Sequence, residues 1–220
     1  MRRAFWATLS AFAVVISAQA TVIEFTQSFT PGSIPIDYAS RVSSLGIDVG
    51  GRGSFNLTHG ETPNIAVTMF TANASRNQVA NLSLWGSNYG SLVDVAYHSF
   101  GQYAVIRFTA DSGYWARLHG FKMAGWPNTN RTLPLLEIRV DNTVVFSQTN
   151  VAITGSGFNQ FTFDPTVYKG GEVEIFFGND WNVGIDDIEF SQELIPEPAS
   201  LLVLGTGLVG LIRLRRRQSR

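Results

Sequence analysis

The stretch LEIRVDNTVVF, residues 136–146, contains the clearest strand pair in the sequence. Every second residue from Leu136 to Val140 is apolar, which is the period of a half-buried strand. Asp141 and Asn142 follow, and both residue types tolerate the positive φ angles of a two-residue hairpin turn. The alternation resumes after them. The stretch therefore predicts an antiparallel β-hairpin.

Short apolar runs with the same period recur through residues 21–193, and Gly, Asn, Asp, Ser and Pro bound them. No long apolar stripe at helical spacing interrupts the series. We therefore predict an all-β domain there, a jelly-roll-like β-sandwich of about ten strands. We also expect a signal helix before it and a single transmembrane helix after it. The other predicted strands lie at 65–69, 93–97, 104–108, 158–163, 173–177 and 183–190.

The composition excludes several kinds of function. The chain has 220 residues, 45% of them hydrophobic and none of them cysteine, so disulfides, thiolate metal sites and a Cys nucleophile are excluded. Seven of the sixteen basic residues lie in the two terminal segments. Residues 21–198 thus hold nine basic and all seventeen acidic residues, a balance of about −8. Because phosphate backbones are bound by basic side chains, we expect no nucleic-acid partner.

Residues 1–20 have the organisation of a secretory signal peptide. Arg2 and Arg3 precede an apolar run at 4–16, and the small residues Ala18 and Ala20 follow it. A short apolar stretch behind positive charge enters the export channel, and small side chains at these two positions fit a signal peptidase. We expect that enzyme to cleave after Ala20.

Residues 194–220 contain a second ordered set of features, which begins with Pro196, Glu197 and Pro198. The apolar run 199–212 follows, and as a helix its fourteen residues cover only about 21 Å of a hydrocarbon core of about 30 Å. We expect a short transmembrane helix whose basic end stays on the cytoplasmic side. The basic residues after it are Arg213, Arg215, Arg216 and Arg217.

This triplet, short helix and arginine cluster resemble the PEP-CTERM sorting signal of Gram-negative bacteria. The resemblance implies that an exosortase, a membrane enzyme, recognises the segment and acts near the triplet. It further implies only a transient stay in the inner membrane, followed by transfer to the cell surface or extracellular matrix. An ordinary C-terminal anchor is the alternative, and the short helix with a triplet at its boundary favours the sorting signal.

The stretch VGIDDIEF, residues 183–190, resembles the closing strand of jelly-roll domains, including MAM domains and some carbohydrate-binding modules. Regular alternation would place Asp186 on the same side as Ile188 and Phe190, toward the core. A buried carboxylate there needs either hydrogen-bond donors or a cation. We expect backbone donors, because no dense D-x-D-x-D loop supplies the oxygens that Ca²⁺ prefers. A structural Ca²⁺ held by Asp186 and Asp187 stays open as the alternative, and no other cofactor is predicted.

No catalytic constellation emerges from the sequence. His59, His98 and His119 are far apart and lack zinc-site spacing. The carboxylates nearest to a glycosidase pair are Glu137, Glu172 and Glu174, and alternation places the last two on the polar, solvated side of a strand. We therefore expect no enzymatic activity.

Two tryptophans are the best candidates for ligand contact. Trp126 precedes a proline in a polar loop and Trp181 lies between Asp180 and Asn182, so we expect both rings to be exposed. Most of the other aromatic residues are expected in the core. Exposed indole rings stack on sugar faces. The leading hypothesis is a structural or adhesive surface protein. The alternative is a carbohydrate-binding module that acts on exopolysaccharide, and a secreted glycosidase or lyase ranks third.

Overall fold

A computed structural model describes residues 20–25, 32–53, 55–57, 60–164 and 166–195 of the chain. This part is all-β, with two antiparallel sheets, so the predicted sandwich class is confirmed. The jelly-roll connectivity stays a prediction. The thirteen strands are β1 (Ala20–Ile23), β2 (Ile65–Ala72), β3 (Gln78–Ala80), β4 (Ser83–Trp85), β5 (Val95–Tyr97), β6 (Tyr103–Ala110), β7 (Tyr114–Gly125), β8 (Arg131–Val140), β9 (Thr143–Ile153), β10 (Asn159–Thr162), β11 (Lys169–Gly170), β12 (Glu172–Gly178) and β13 (Val183–Leu194).

The six-stranded sheet has the order β3-β2-β6-β12-β8-β9. Its β8–β9 hairpin confirms the prediction for residues 136–146, since Val140 pairs with Thr143. Asp141 and Asn142 form the turn with φ angles of 47° and 66°. Positive φ at both central residues matches the right-handed twist of the flanking strands, which is why this residue pair closes the hairpin.

The seven-stranded sheet has the order β10-β7-β13-β5-β4, with β1 added to β13 and β11 added to β7. The last strand, β13, is therefore central: it pairs with β7 along one edge and with both β1 and β5 along the other. The first and last strands of the described part are thus hydrogen-bonded to each other, with Thr21 opposite Phe190.

The main core fills the space between the two sheets. Alternate residues of β2 and β6 enter it from one sheet, and residues of β7 and β13 enter it from the other. Phe108 and Phe190 meet across the interface with ring centroids 4.7 Å apart. Both rings are fully or almost fully buried, so each contributes about 1.5–3 kcal/mol of burial free energy.

A β-bulge changes the direction of side chains halfway along β13. The register with β7 shifts after Asp186, and Asp187 has a φ of 47°. Ile185 and Ile188, three residues apart, therefore both enter the main core. The predicted placement of Asp186 beside Ile188 and Phe190 is wrong, because the bulge inserts one residue and reverses the alternation. Asp186 is buried, but in a cleft outside the main core.

Both predicted targeting segments extend beyond the described residues. Residues 1–19 of the predicted signal peptide, including Ala18, and the sorting residues Pro196 to Arg217 lie outside them, whereas Ala20 is described. Among the described residues there is no helix long and apolar enough to cross a membrane. Because β1 starts at Ala20, cleavage after that residue would leave Thr21 to Ile23 paired with β13.

Candidate functional site

Four aromatic rings meet at one end of the seven-stranded sheet, and we call them the aromatic cluster: Trp85, Tyr97, Trp126 and Trp181. Trp126 lies 5.8 Å from Trp181 and 6.0 Å from Trp85, measured between ring centroids. Tyr97 completes the group, 6.5 Å from Trp85 and 6.4 Å from Trp181. The two tryptophans singled out from the sequence are therefore neighbours, although 55 positions separate them in the chain.

Hydrogen bonds fix the loops that carry the cluster. Asp180 Oδ1 accepts bonds from the backbone N–H of Asn182 at 3.0 Å and from its side-chain amide at 2.8 Å. The backbone N–H of Trp126 donates to the carbonyl of Asn182 at 2.7 Å. The loop around Trp181 is thus joined directly to the end of β7. A binding surface on rigid supports loses less conformational entropy when a ligand arrives.

The exposure of the rings differs from the prediction. Trp85 is not one of the two rings predicted to be exposed, but it is the most open member of the cluster, at 45% exposure. Trp126 and Trp181, predicted to be exposed, are half-buried because they pack against each other. The polar stretch GSNYGS at 86–91, directly after Trp85, is the sequence signal that could have located this ring at a surface loop.

A polar cleft of about 360 Å³ is linked to the aromatic cluster through one residue of its wall. Arg131 connects the two, since it lines the cleft and donates its Nε to the carbonyl of Trp126 at 2.7 Å. Amide, hydroxyl and guanidinium groups beside aromatic rings are the combination that small polar ligands require. The other residues that line the cleft are Asn130, Thr132, Ala152, Ile153, Thr154 and Asn159.

A second cleft, of about 320 Å³, contains the buried Asp186, and we call it the acidic cleft. Glu24, Asp94 and Asp187 line it as well, and Lys122 is the only basic residue among the described residues of its wall. Lys122 Nζ binds Asp187 Oδ2 at 2.6 Å. The sequence indicated Asp186 and Asp187 but not the other two carboxylates, because Glu24 follows β1 and Asp94 precedes β5, far from β13 in the chain.

Asp186 has an altered acidity in this cleft. Burial raises the pKa of its carboxyl to about 8, and the adjacent Asp187 adds to the rise, although backbone N–H groups of Asp187 and Phe25 donate to the carboxylate and oppose it. Within the described ranges, no three acidic, histidine or cysteine side chains already form a group that could hold a metal ion. The cleft therefore offers carboxylates without a finished metal cage.

The three candidate glycosidase carboxylates lie together on the six-stranded sheet, where arginines bind them. Glu174 accepts bonds from Arg76 Nε at 3.0 Å and from Arg107 Nη2 at 2.7 Å. Glu137 also binds Arg76, and Glu172 lies 3.4 Å from Arg107. The expectation of a solvated Glu174 is wrong: the residue is only 4% exposed, since the arginines cover it.

Two of the three histidines lie in the described part, in separate structural surroundings. His98 is fully buried against Phe177, and its Nδ1 lies 2.9 Å from the carbonyl of Ser99. Burial lowers the pKa of His98. His119 Nε2 lies 2.7 Å from the hydroxyl of Ser191. His59 is outside the described residues.

The end of β13 leads directly into the segment with the Pro-Glu-Pro triplet. β13 ends at Leu194, and the backbone N–H of Ile195 donates to the carbonyl of Gly113 at 2.8 Å. Residues 194–217 match the family described as the PEP-CTERM protein-sorting motif. The chain carries a PEP-CTERM sorting motif. The motif implies export, processing by an exosortase and a membrane-anchored stage before surface release. Because it starts at the last residue of β13, it follows the sandwich without a linker.

Comparisons for the rest of the chain are weaker. No curated protein sequence matches it. Among solved structures, it is similar to a cycloisomaltooligosaccharide glucanotransferase from Paenibacillus sp. (15% identity, TM-score 0.24), covering 56% of this chain and 18% of that one. It is also similar to an exo-beta-1,3-galactanase from Phanerochaete chrysosporium (12% identity, TM-score 0.27), covering 64% and 33%. The chain thus matches a third or less of the length of these enzymes.

Proposed function

We propose that the exported domain is a cell-surface or extracellular-matrix protein, adhesive or structural rather than catalytic, that holds exopolysaccharide on its aromatic cluster. The single observation that carries this proposal is the convergence of Trp85, Tyr97, Trp126 and Trp181 at one end of a sheet. A signal peptidase removes residues 1–20, and an exosortase acts at the sorting motif.

The chemistry of the cluster supports a glycan ligand. Sugar rings present apolar C–H faces edged by hydroxyl groups, so they pair an aromatic surface with nearby polar side chains. Trp85 offers the exposed ring. Arg131 and Asn130 line the adjoining polar cleft and supply hydrogen-bonding groups for hydroxyls. The adhesive function and the carbohydrate-binding alternative are then one mechanism. The sorting motif brings the domain to the cell surface, and the aromatic cluster binds the polysaccharide of the matrix.

The arrangement of carboxylates supports a non-catalytic role. A glycosidase needs one carboxyl group to donate a proton and a second to act as base or nucleophile. Glu137 and Glu174 instead share Arg76 as an ion-pair partner, and Arg107 also binds Glu174. Because arginines hold both carboxyls on the face of the sheet, neither is placed as the free proton donor and nucleophile that glycoside cleavage uses.

Polysaccharide binding by tryptophan variants tests this proposal. Purified full-length chain in mild detergent is incubated with insoluble polysaccharides and with matrix material from the producing cells. An indole face covering about 60–80 Å² of sugar contributes about 1.5–2 kcal/mol, so Trp85→Ala should weaken binding about 10–30-fold. Trp181→Ala should act similarly by removing a ring that supports the cluster. Trp115→Ala is the matched control, because this half-buried ring packs instead under Lys169 at 4.3 Å.

The results separate the alternatives. Binding by the wild type that Trp85→Ala and Trp181→Ala lose and Trp115→Ala keeps would support the cluster as the glycan site. Equal binding by the wild type and the three variants would show that the aromatic cluster does not bind the polysaccharide. Absence of binding to every polysaccharide would refute the adhesive proposal and leave a purely structural domain. Release of reducing sugar from any of these substrates would contradict the non-catalytic role.

A further inference from the structure

Two carboxylate oxygens in the acidic cleft are buried without a hydrogen-bond partner among the described residues. They are Oδ1 of Asp186 and Oδ1 of Asp94. Asp186 is only 6% exposed, and both residues line the same cleft. A buried carboxylate oxygen that loses water without gaining a donor is destabilised unless another group compensates. Because both oxygens belong to residues that line one cleft, a single bound group can compensate both.

The charges around the cleft favour a positively charged partner. Four carboxylates line it, from Glu24, Asp94, Asp186 and Asp187, against the single ammonium group of Lys122. That ammonium is already committed, since it binds Asp187 Oδ2 at 2.6 Å and lies 4.7 Å above the ring of Phe158. The described wall therefore leaves an excess of negative charge near the two orphaned oxygens.

The donor set selects among cations. The described residues of the lining include neither histidine nor cysteine, so zinc and softer metals lack the ligands they prefer there. Mg²⁺ requires a compact octahedron, whereas Ca²⁺ accepts six to eight oxygens in irregular geometry, including water and backbone carbonyls. A volume of about 320 Å³ leaves room for several waters beside the carboxylates. These conditions fit Ca²⁺ best.

We propose that the acidic cleft binds one Ca²⁺ ion, with Asp94 and Asp186 as its protein anchors and water completing the coordination. Glu24 and Asp187 add negative charge to the cleft. Asp186 belongs to β13, Asp94 immediately precedes β5, and Glu24 immediately follows β1. The ion thus links the first strand of the domain to the last. Since only two side chains anchor it, the affinity should fall in the weak range of about 10⁻⁴–10⁻³ M that is typical of extracellular modules.

Calcium-dependent thermal unfolding tests the site. Full-length chain in detergent is stripped with EDTA, dialysed, and heated with 0–10 mM CaCl₂, with MgCl₂ and ionic-strength-matched NaCl as references. At 10 mM and a dissociation constant of about 0.5 mM, binding linkage should raise the unfolding temperature by about 3–6 °C. Asp186→Asn and Asp94→Asn should each abolish most of this rise. Glu61→Gln, which removes an exposed charge outside the cleft, is the matched control and should keep it.

Titration calorimetry on the same samples should give one Ca²⁺ per wild-type chain. The proposal is overturned if the wild type responds to CaCl₂ no more than to NaCl. That result would mean that Asp186 is buried as a neutral carboxylic acid and needs no cation. It is also overturned if both variants respond like the wild type. Should Asp186→Asn fail to fold, Asp94→Asn decides alone. Trp85→Ala should keep the full calcium response, which separates this site from the glycan site.

Discussion

Removal of the buried carboxylate at Glu174 should destabilise the domain more than removal of its neighbour Glu172. Glu174 lies in β12, where its backbone pairs with Arg107 on β6 and with Arg139 on β8. Its side chain is 6% exposed and binds Arg76 and Arg107. Glu172, on the same strand, has a side chain that is 32% exposed and lies 3.4 Å from Arg107.

The magnitude follows from which charges remain buried. Removing one partner of a buried ion pair costs about 3–5 kcal/mol, because the other charge is left uncompensated. The side chains of Arg76 and Arg107 keep 19% and 31% exposure, so water can solvate them partly. We therefore expect Glu174→Ala to cost about 3 kcal/mol, near the low end of that range. For a domain of this size, this lowers the unfolding temperature by about 6–12 °C.

Urea and thermal unfolding of the two variants under identical conditions measure the difference. Glu172→Ala should cost less than about 1 kcal/mol, since exposed ion pairs contribute little. Adding 1 M NaCl should reduce the small effect at Glu172 and leave most of the effect at Glu174, because burial limits screening. Equal losses in the two variants would refute the argument that burial, rather than charge pairing alone, makes Glu174 important.

Two further predictions concern pH and sorting. Burial lowers the pKa of His98 below its ordinary 6.5, so the unfolded chain takes up a proton first as pH falls. The free energy of unfolding should therefore fall as the pH drops below 6.5. In His98→Gln, the urea midpoint should change less between pH 7 and pH 5 than it does in the wild type; an equal change in both proteins would contradict this. Deletion of residues 196–220 should release the exported domain in soluble form, as fractionation of cells and medium would reveal, and continued membrane association would refute the predicted topology.

The hairpin at residues 136–146 and the fate of β13 show how far local patterns predict this fold. The hairpin was predictable because its register depends on neighbouring residues and on a turn pair that tolerates positive φ. The direction of Asp186 was not, because Asp187 adopts positive φ inside a strand and reverses the alternation that follows it. A bulge is set by the partner strand as well as by the bulged residue.

The candidate sites differ in the same way. Trp126 and Trp181 were identified by their polar flanks, but Trp85 and Tyr97 join them only because β4 and β5 pair at the edge of the sheet. Likewise, Asp94 and Glu24 reach the acidic cleft from parts of the chain distant from Asp186. Contacts between distant residues leave no local signal, so a pattern search finds single members of a site and misses the set.

The sequence by itself determined the class of the fold, the position of its clearest hairpin and the sorting motif at its end. Each of these depends on the order of residues within a short window, through hydrophobic periodicity, turn chemistry or the arrangement of apolar and basic residues. Only the tertiary structure decided that arginines bury Glu174, that four aromatic rings converge, and that two carboxylate oxygens lack partners. Those properties depend on which strands lie side by side, and burial and charge in a folded protein are set by such neighbours.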